Sequence, residues 1–266
     1  MSIIKETGYL PCYAYDKQGE SFSKDFPDDI QVTFDWTEHD PKAKYNIYVQ
    51  CEPPTMWVDR MKILEPIKNQ YDLFLGYQEE ILEYDNAEFF LPVGGWINSP
   101  PDIEKKPQVS FVTSSKVFTD AHRMRFMIMR GMGDTKDFNG LDYQFYRSPP
   151  SIIDRDSYYI DSMFNIACEN ELMNNMFTEK LIDCLACKTI PIYYGCQNIE
   201  KFFNPKGILS FNTYEEYVKI IKNVNEDMYY NMLPYVEENF EISKQYWQKS
   251  VYERIEDLIL EKYYAD

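Results

Sequence analysis

From residue 108 onward, runs rich in β-branched and aromatic residues alternate with stretches of helical periodicity: QVSFVT (108–113), DAHRMRFMIMRG (120–131), DYQFYR (142–147), MFNIACE (163–169), TEKLIDCLAC (178–187) and TIPIYYG (189–195). This alternation constrains the fold more than any other feature. Short strands joined by helices pair in parallel, because a parallel neighbour can only be reached by a long crossover, and the crossing helices then cover both faces of the sheet. Such sheets bind ligands in the crevice beyond the carboxyl ends of their strands. A short helix, the strand GILSF (207–211) and helices from about Tyr214 to the end complete the series.

The first hundred residues read as short apolar strands between acidic or proline-rich loops: IQVTFDW (30–36), YNIYVQC (45–51), YDLFLGY (71–77) and AEFFLPV (87–93). A helix-like stretch, VDRMKILEPIKNQ (58–70), lies between the second and third. The segment SPPDIEKKPQ (99–108) mixes prolines with charge, lacks periodicity and reads as a linker. No internal repeat or low-complexity segment stands out. Two such α/β units in tandem would face each other across a cleft.

Of the 266 residues, 44 are acidic and 27 basic, a net charge of −17. A general attraction to nucleic acid or to an anionic membrane is therefore not expected, and any anionic ligand must be met by a local basic cluster. No apolar run approaches transmembrane length, and MSIIKETGYL lacks the pattern of a signal peptide. The six cysteines have no framework spacing and read as buried thiols in a reducing, cytoplasmic compartment. Cys184 and Cys187 form a C-x-x-C without a second pair. With only His39 and His122 in the chain, a zinc site is not expected.

The residue that poses the chemical question is Lys180. Thr178 suits the N-cap of the helix after MFNIACE, and Glu179 suits its first turn, but a lysine there opposes the helix dipole. An anion at the helix start would resolve the misfit, since backbone N–H groups and the ammonium would converge on it. The alternative is that Lys180 points into solvent and pairs with Glu171 or Glu179. A second basic cluster follows QVSFVT, with Ser114, Ser115 and Lys116 in the loop and Arg123 and Arg125 near the next helix start. Two helix starts with convergent cations suit a diphosphate; the alternative is that one arginine is solvated and the other braces an acidic loop.

With these residues in view, the chain resembles the α-1,3-fucosyltransferases of glycosyltransferase family 10. The resemblance is carried by F-N-I-A-C-E-N (164–170), T-E-K (178–180) and T-I-P-I-Y-Y-G (189–195), by S-F-V-T-S-S (110–115) with Arg123 and Phe126, and by F-F-N-P-K-G-I-L-S-F (202–211). It is specific over 108–217 and faint before, where Cys51-Glu52-Pro53-Pro54 and F-F-L-P-V-G (89–94) match. Two positions depart from the family pattern, Met176 for an aromatic residue and Cys168 for phenylalanine.

The resemblance implies a GT-B architecture: two Rossmann-like domains facing a cleft, the first reduced. It divides the chain into an acceptor-side domain over 1–104, a donor-binding domain over 105–240 and a C-terminal helix over 241–266 that packs back on the first domain. The donor it implies is a GDP-sugar, usually GDP-L-fucose, with a glycan hydroxyl as acceptor and no metal. Arg123 and Lys180 would hold the diphosphate, Glu179 would contact the sugar, and Asn170 would line the donor pocket with Glu169, Ser114, Ser115, Arg125 and Thr178. Glu52, after YNIYVQC, would be the catalytic base of an inverting transfer, with Glu179 the second catalytic residue.

Two other readings fit parts of the chain. Asp154-Arg155-Asp156 has the letters of a D-x-D metal site in transferases using another nucleotide sugar. Met176 and the short first domain suit a non-catalytic nucleotide-sugar or glycan binder. A serine hydrolase is excluded by the absence of G-x-S-x-G and the scarcity of histidine. The G-x-G of RGMGDTK lacks the rest of a dinucleotide fingerprint.

Overall fold

The computed structural model of the protein describes residues 4–8, 21–56, 59–97, 102–113, 117, 119–134, 139–147 and 160–265. The chain divides into two units, Met1–Gly94 with Lys249–Asp266, and Gly95–Gln248. The divisions thus fall after Gly94 and after Gln248, where sequence suggested residues 104 and 240.

The first unit is a five-stranded, all-parallel sheet in sequence order: β1 (Ile4–Gly8), β2 (Ile30–Phe34), β3 (Tyr45–Val49), β4 (Leu73–Gly76) and β5 (Ala87–Phe89). Alternation decides its two faces. Val32, Phe34, Ile47, Val49, Leu73 and Leu75 enter one core cluster, whereas Tyr48 and Phe74 enter another with Leu64, Tyr71 and Ile81. The helix-like stretch becomes α1 (Arg60–Leu64) followed by a 3-10 turn over Glu65–Gln70. Pro66 has no N–H with which to continue the α-helical ladder. A second short helix, α2 (Glu79–Leu82), precedes β5.

β1 was not anticipated from sequence. It is an edge strand in which Ile4 is buried and Lys5 and Glu6 are exposed, so it carries no alternating apolar signal.

The second unit is also five-stranded and parallel. It contains β6 (Lys106–Thr113), α3 (Asp120–Asp134), β7 (Asp142–Arg147), β8 (Ser162–Cys168), α4 (Glu179–Ala186), β9 (Ile190–Tyr194), β10 (Leu209–Ser210), α5 (Tyr214–Ile221) and α6 (Glu226–Trp247). Its strand order is β10-β9-β8-β6-β7. All seven residues of β8 are buried, as expected of a central parallel strand that reads as a continuous apolar run. The chain leaves β6 for β7 on one side and returns to place β8 on the other. The strand order therefore reverses between β6 and β8, and the carboxyl ends of these two strands mark the topological switch point where such sheets bind ligands.

The last helix, α7 (Val251–Tyr264), belongs to the first unit. Ser250 and Glu253 form its capping box, and Val251, Tyr252, Ile255 and Ile259 join the core beside Val32 and Phe34. Buried Glu256 accepts the backbone N–H groups of Ser23 (2.6 Å) and Lys24 (2.8 Å). The expected C-terminal element at 241–266 is thus two pieces, because residue 241 lies inside α6, which packs in the second unit. No helix among the described residues is long and apolar enough to cross a membrane.

Candidate active site

At the carboxyl end of β8 the chain turns on Glu169, whose N–H donates to the Tyr194 carbonyl (2.7 Å) as a continuation of the pairing with β9. Its carboxylate is wholly buried. One oxygen accepts the Thr178 N–H (2.8 Å) and the other the Thr178 hydroxyl (2.6 Å). Burial pushes the Glu169 carboxyl above its usual range, while the nearby Lys180 ammonium and the Thr178 donors oppose that shift. Space beside it is limited by design of the backbone at Gly195, where an added Cβ would stand 2.4 Å from Tyr193 Oη and 2.5 Å from Glu169 Cγ.

Thr178 caps α4 in extended conformation. Its hydroxyl, having donated to Glu169, accepts from Lys180 Nζ (2.9 Å) and, at longer range, from the Lys180 N–H (3.5 Å). All of its hydrogen-bonding capacity is in use. The Lys180 ammonium also donates to Glu179 Oε1 (2.9 Å) and lies 3.6 Å from Glu169 Oε2, with the side chain 24% exposed. Burial works against its charge, but Glu179 and Glu169 outweigh burial and raise the Lys180 pKa, so the ammonium persists at neutral pH. The pairing with Glu179 foreseen as the alternative exists, and Glu169 is a second carboxylate beside the ammonium.

The loop between β8 and α4 is fixed by its own amides. Asn175, at φ +62°, receives a bond from Asn198 Nδ2 (2.8 Å) and returns one from its N–H to Asn198 Oδ1 (2.7 Å). Asparagine tolerates this left-handed backbone. Met176 and Phe177 are buried, the latter packed edge-on against Phe202, Phe203 and Tyr246.

From the other side of the switch point, α3 contributes Arg125. This nearly buried side chain donates through Nη2 to Asn170 Oδ1 (2.6 Å), and its Nε has no hydrogen-bond partner. Its charge is felt at Lys180, where it opposes protonation. The Thr119 hydroxyl donates to the Asn170 carbonyl (2.9 Å), tying the start of α3 to the end of β8. Arg125, Asn170, Glu169, Thr178, Glu179 and Lys180 thus form one cluster. Arg123 points elsewhere: its side chain is 71% exposed and pairs with Asp120 (2.7 Å).

Ser114, Ser115 and Lys116 lie outside the described residues, as do Asp154, Arg155 and Asp156. Glu52 follows β3 in the first unit and is half-buried. No group of three or more His, Cys, Asp or Glu able to hold a metal occurs among the described residues, where five cysteines, including Cys184 and Cys187, are free and buried. Sequence reasoning missed Thr119, Tyr193 and Gly195. The small residue after the strand TIPIYY was the available signal for Gly195.

Lys180 at the capped start of α4, with Arg125 bonded to Asn170 at the end of β8, thus lies at the switch point of the parallel sheet. Residues 104–257 match the family described as glycosyltransferase family 10 (fucosyltransferase) C-term, and the protein belongs to that family. The alpha-(1,3)-fucosyltransferase FucT of Helicobacter pylori is 36% identical over 75 residues, which span 26% of this chain and 16% of that relative. Among solved structures, an α1,3-fucosyltransferase with GDP-fucose superposes with a TM-score of 0.52 at 16% identity, over 89% of this chain and 79% of that one. TarM gives 0.53 at 14% identity, over 86% and 54%, and OtsA gives 0.54 at 10% identity, over 90% and 74%. The two parallel sheets and these neighbours establish the GT-B fold.

Proposed function

We propose that the protein moves a sugar, with L-fucose the first choice, from a GDP-sugar to a glycan hydroxyl with inversion and without a metal ion. The observation that carries this reading is Lys180 at the capped start of α4, with Arg125 bonded to Asn170 just beyond Glu169. The leaving diphosphate carries the charge that develops during sugar transfer, and fixed cations with backbone N–H groups stabilise it. By the family resemblance Glu179 contacts the sugar, and one of its carboxylate oxygens has no hydrogen-bond partner among the described residues. Asn170, held by Arg125, lines the same site with Glu169 and Thr178. Ser114, Ser115 and Arg123 join the donor site by the family resemblance, Arg123 after release from Asp120. The choice of GDP-fucose is supported by family membership and by the donor named for the solved fucosyltransferase.

By the same resemblance Glu52 is the base that removes the acceptor proton, and a positioned base contributes ~10²–10⁴-fold. The experiment is the release of GDP from GDP-fucose by purified protein, in excess chelator, for wild type and Glu52→Gln. The reading expects turnover in chelator and a fall by that factor in the variant, with GDP affinity nearly unchanged. Turnover restored only by manganese would instead favour Asp154 and Asp156. No turnover with intact GDP binding would favour a non-catalytic binder.

A further inference from the structure

The first unit contains a buried ion pair that the proposed chemistry does not use. Asp35 follows β2 and Arg60 opens α1. Arg60 Nη2 lies 2.9 Å from Asp35 Oδ1, with side chains 3% and 4% exposed. A buried pair is weak evidence for stability, since well-packed apolar residues often stabilise as well or better. Its other contacts suggest what it does. The Cys51 N–H donates to Asp35 Oδ1 (3.0 Å) and the Glu52 N–H to Asp35 Oδ2 (2.6 Å). The Tyr48 hydroxyl also lies 3.3 Å from Oδ1. Asp35 itself has φ +52°, a left-handed bend that aspartate tolerates, so the chain turns as β2 ends and the carboxylate faces the turn after β3.

The same turn is held from β4. Gln50 Oε1 accepts the N–H groups of Tyr77 (3.0 Å) and Gln78 (2.9 Å), and the Tyr77 hydroxyl donates to the Cys51 carbonyl (2.8 Å). The ends of three parallel strands therefore converge on residues 50–52. Among these bonds, the one from the Glu52 N–H to Asp35 holds the backbone of Glu52 itself. Two backbone N–H donors side by side call for an anion, and the anion, once buried, calls for Arg60.

We propose that Asp35, with Arg60 as its counter-charge, is a positioning residue that fixes the backbone from which Glu52 acts on the acceptor. This inference rests on the reading of Glu52 as the base. A general base must lie within hydrogen-bond reach of the proton it removes, and a displacement of about 1 Å can cost roughly 10²-fold in rate. A loop glutamate meets that demand only if its backbone is anchored. Asparagine at position 35 would keep the shape but offer one acceptor oxygen and a donor amide where two N–H groups now converge.

The test uses the full chain and the release of GDP from GDP-fucose. The charge-balanced D35N/R60M variant removes both buried charges together. Its melting temperature should fall by several degrees, since one buried N–H loses its acceptor, but the variant should stay folded with GDP affinity near wild type, while turnover falls roughly 30–100-fold, the scale of a misplaced catalytic group. Adding E52Q should cause no further loss, because Asp35 acts through Glu52. Turnover within about three-fold of wild type in the folded double variant overturns the positioning role and leaves Glu52 as base. Losses that multiply in the triple variant overturn it as well. An E52Q variant as active as wild type removes the base, and the proposal with it. Should D35N/R60M fail to fold, R60K keeps the charge but loses the guanidinium geometry. It should lower turnover by about 3–10-fold, again only where Glu52 is present, and unchanged turnover in R60K overturns the proposal.

Discussion

Thr178 gives both its hydroxyl and its backbone N–H to the carboxylate of Glu169, at 2.6 and 2.8 Å, so the cap of α4 and the residue after β8 share one buried charge. The link has a measurable energy. In Thr178→Val the helix loses its cap, buried Glu169 loses a donor and Lys180 loses an acceptor. Cap loss is worth about 0.5–2 kcal/mol and an unsatisfied buried charge about 1–3, so a loss of roughly 2–4 kcal/mol is expected from urea unfolding. A change below about 0.5 kcal/mol, the ordinary effect of a surface substitution, would contradict this account of the turn.

Gly195 tests the same turn sterically. A methyl group there meets Tyr193 Oη and Glu169 Cγ well inside contact distance. Gly195→Ala should destabilise the protein by about 1–3 kcal/mol, the usual effect of overpacking. Because Glu169 must shift, GDP affinity should fall too. Unchanged unfolding and unchanged GDP affinity together would refute the crowding.

Lys105, just before β6, provides a pH signature. Burial lowers its pKa from 10.5 to about 8, with its ammonium donating to the Ile160 carbonyl and to Thr189 Oγ1. Between about 8 and 10.5 the unfolded chain binds this proton more readily than the folded chain, so the Lys105 contribution to stability rises with pH across that window. Buried cysteines such as Cys168, held up to about 12, act in the opposite direction and lower stability as the unfolded thiols ionise. The wild type should therefore be compared with Lys105→Met. The difference in unfolding free energy, wild type minus variant, should rise by on the order of 2–3 kcal/mol from pH 7.5 to pH 10. A flat difference would mean that Lys105 is not desolvated.

Much of the second unit is legible in sequence because its strands are buried on both faces and its helices carry caps. The seven residues of β8 and the buried run Leu181–Ala186 in α4 have little freedom to be anything else. Arg123 and Arg125 were harder to separate. They lie two residues apart, about 200° around a helix, and only packing reveals that Arg125 turns inward to Asn170 while Arg123 meets Asp120 in solvent. The Asp35–Arg60 pair has no local signature, since Asp35 is one of 44 acids and its partner lies on another element. Lys180 was legible because its helix position is unfavourable without a partner, although the buried carboxylate of Glu169 among those partners was not foreseen.

The most direct test of the account is calorimetric titration of GDP into the wild type and into Lys180→Ala, Arg125→Ala and Arg123→Ala, with UDP as the control ligand. GDP should bind more tightly than UDP, and Lys180→Ala and Arg125→Ala should each lose on the order of 2 kcal/mol, about 30-fold, as expected of a partly desolvated charge-assisted contact. Arg123→Ala should lose less, because that side chain starts from solvent beside Asp120. Wild-type GDP affinity in the Lys180 and Arg125 variants would contradict the central claim that the start of α4 is where this protein holds a nucleoside diphosphate.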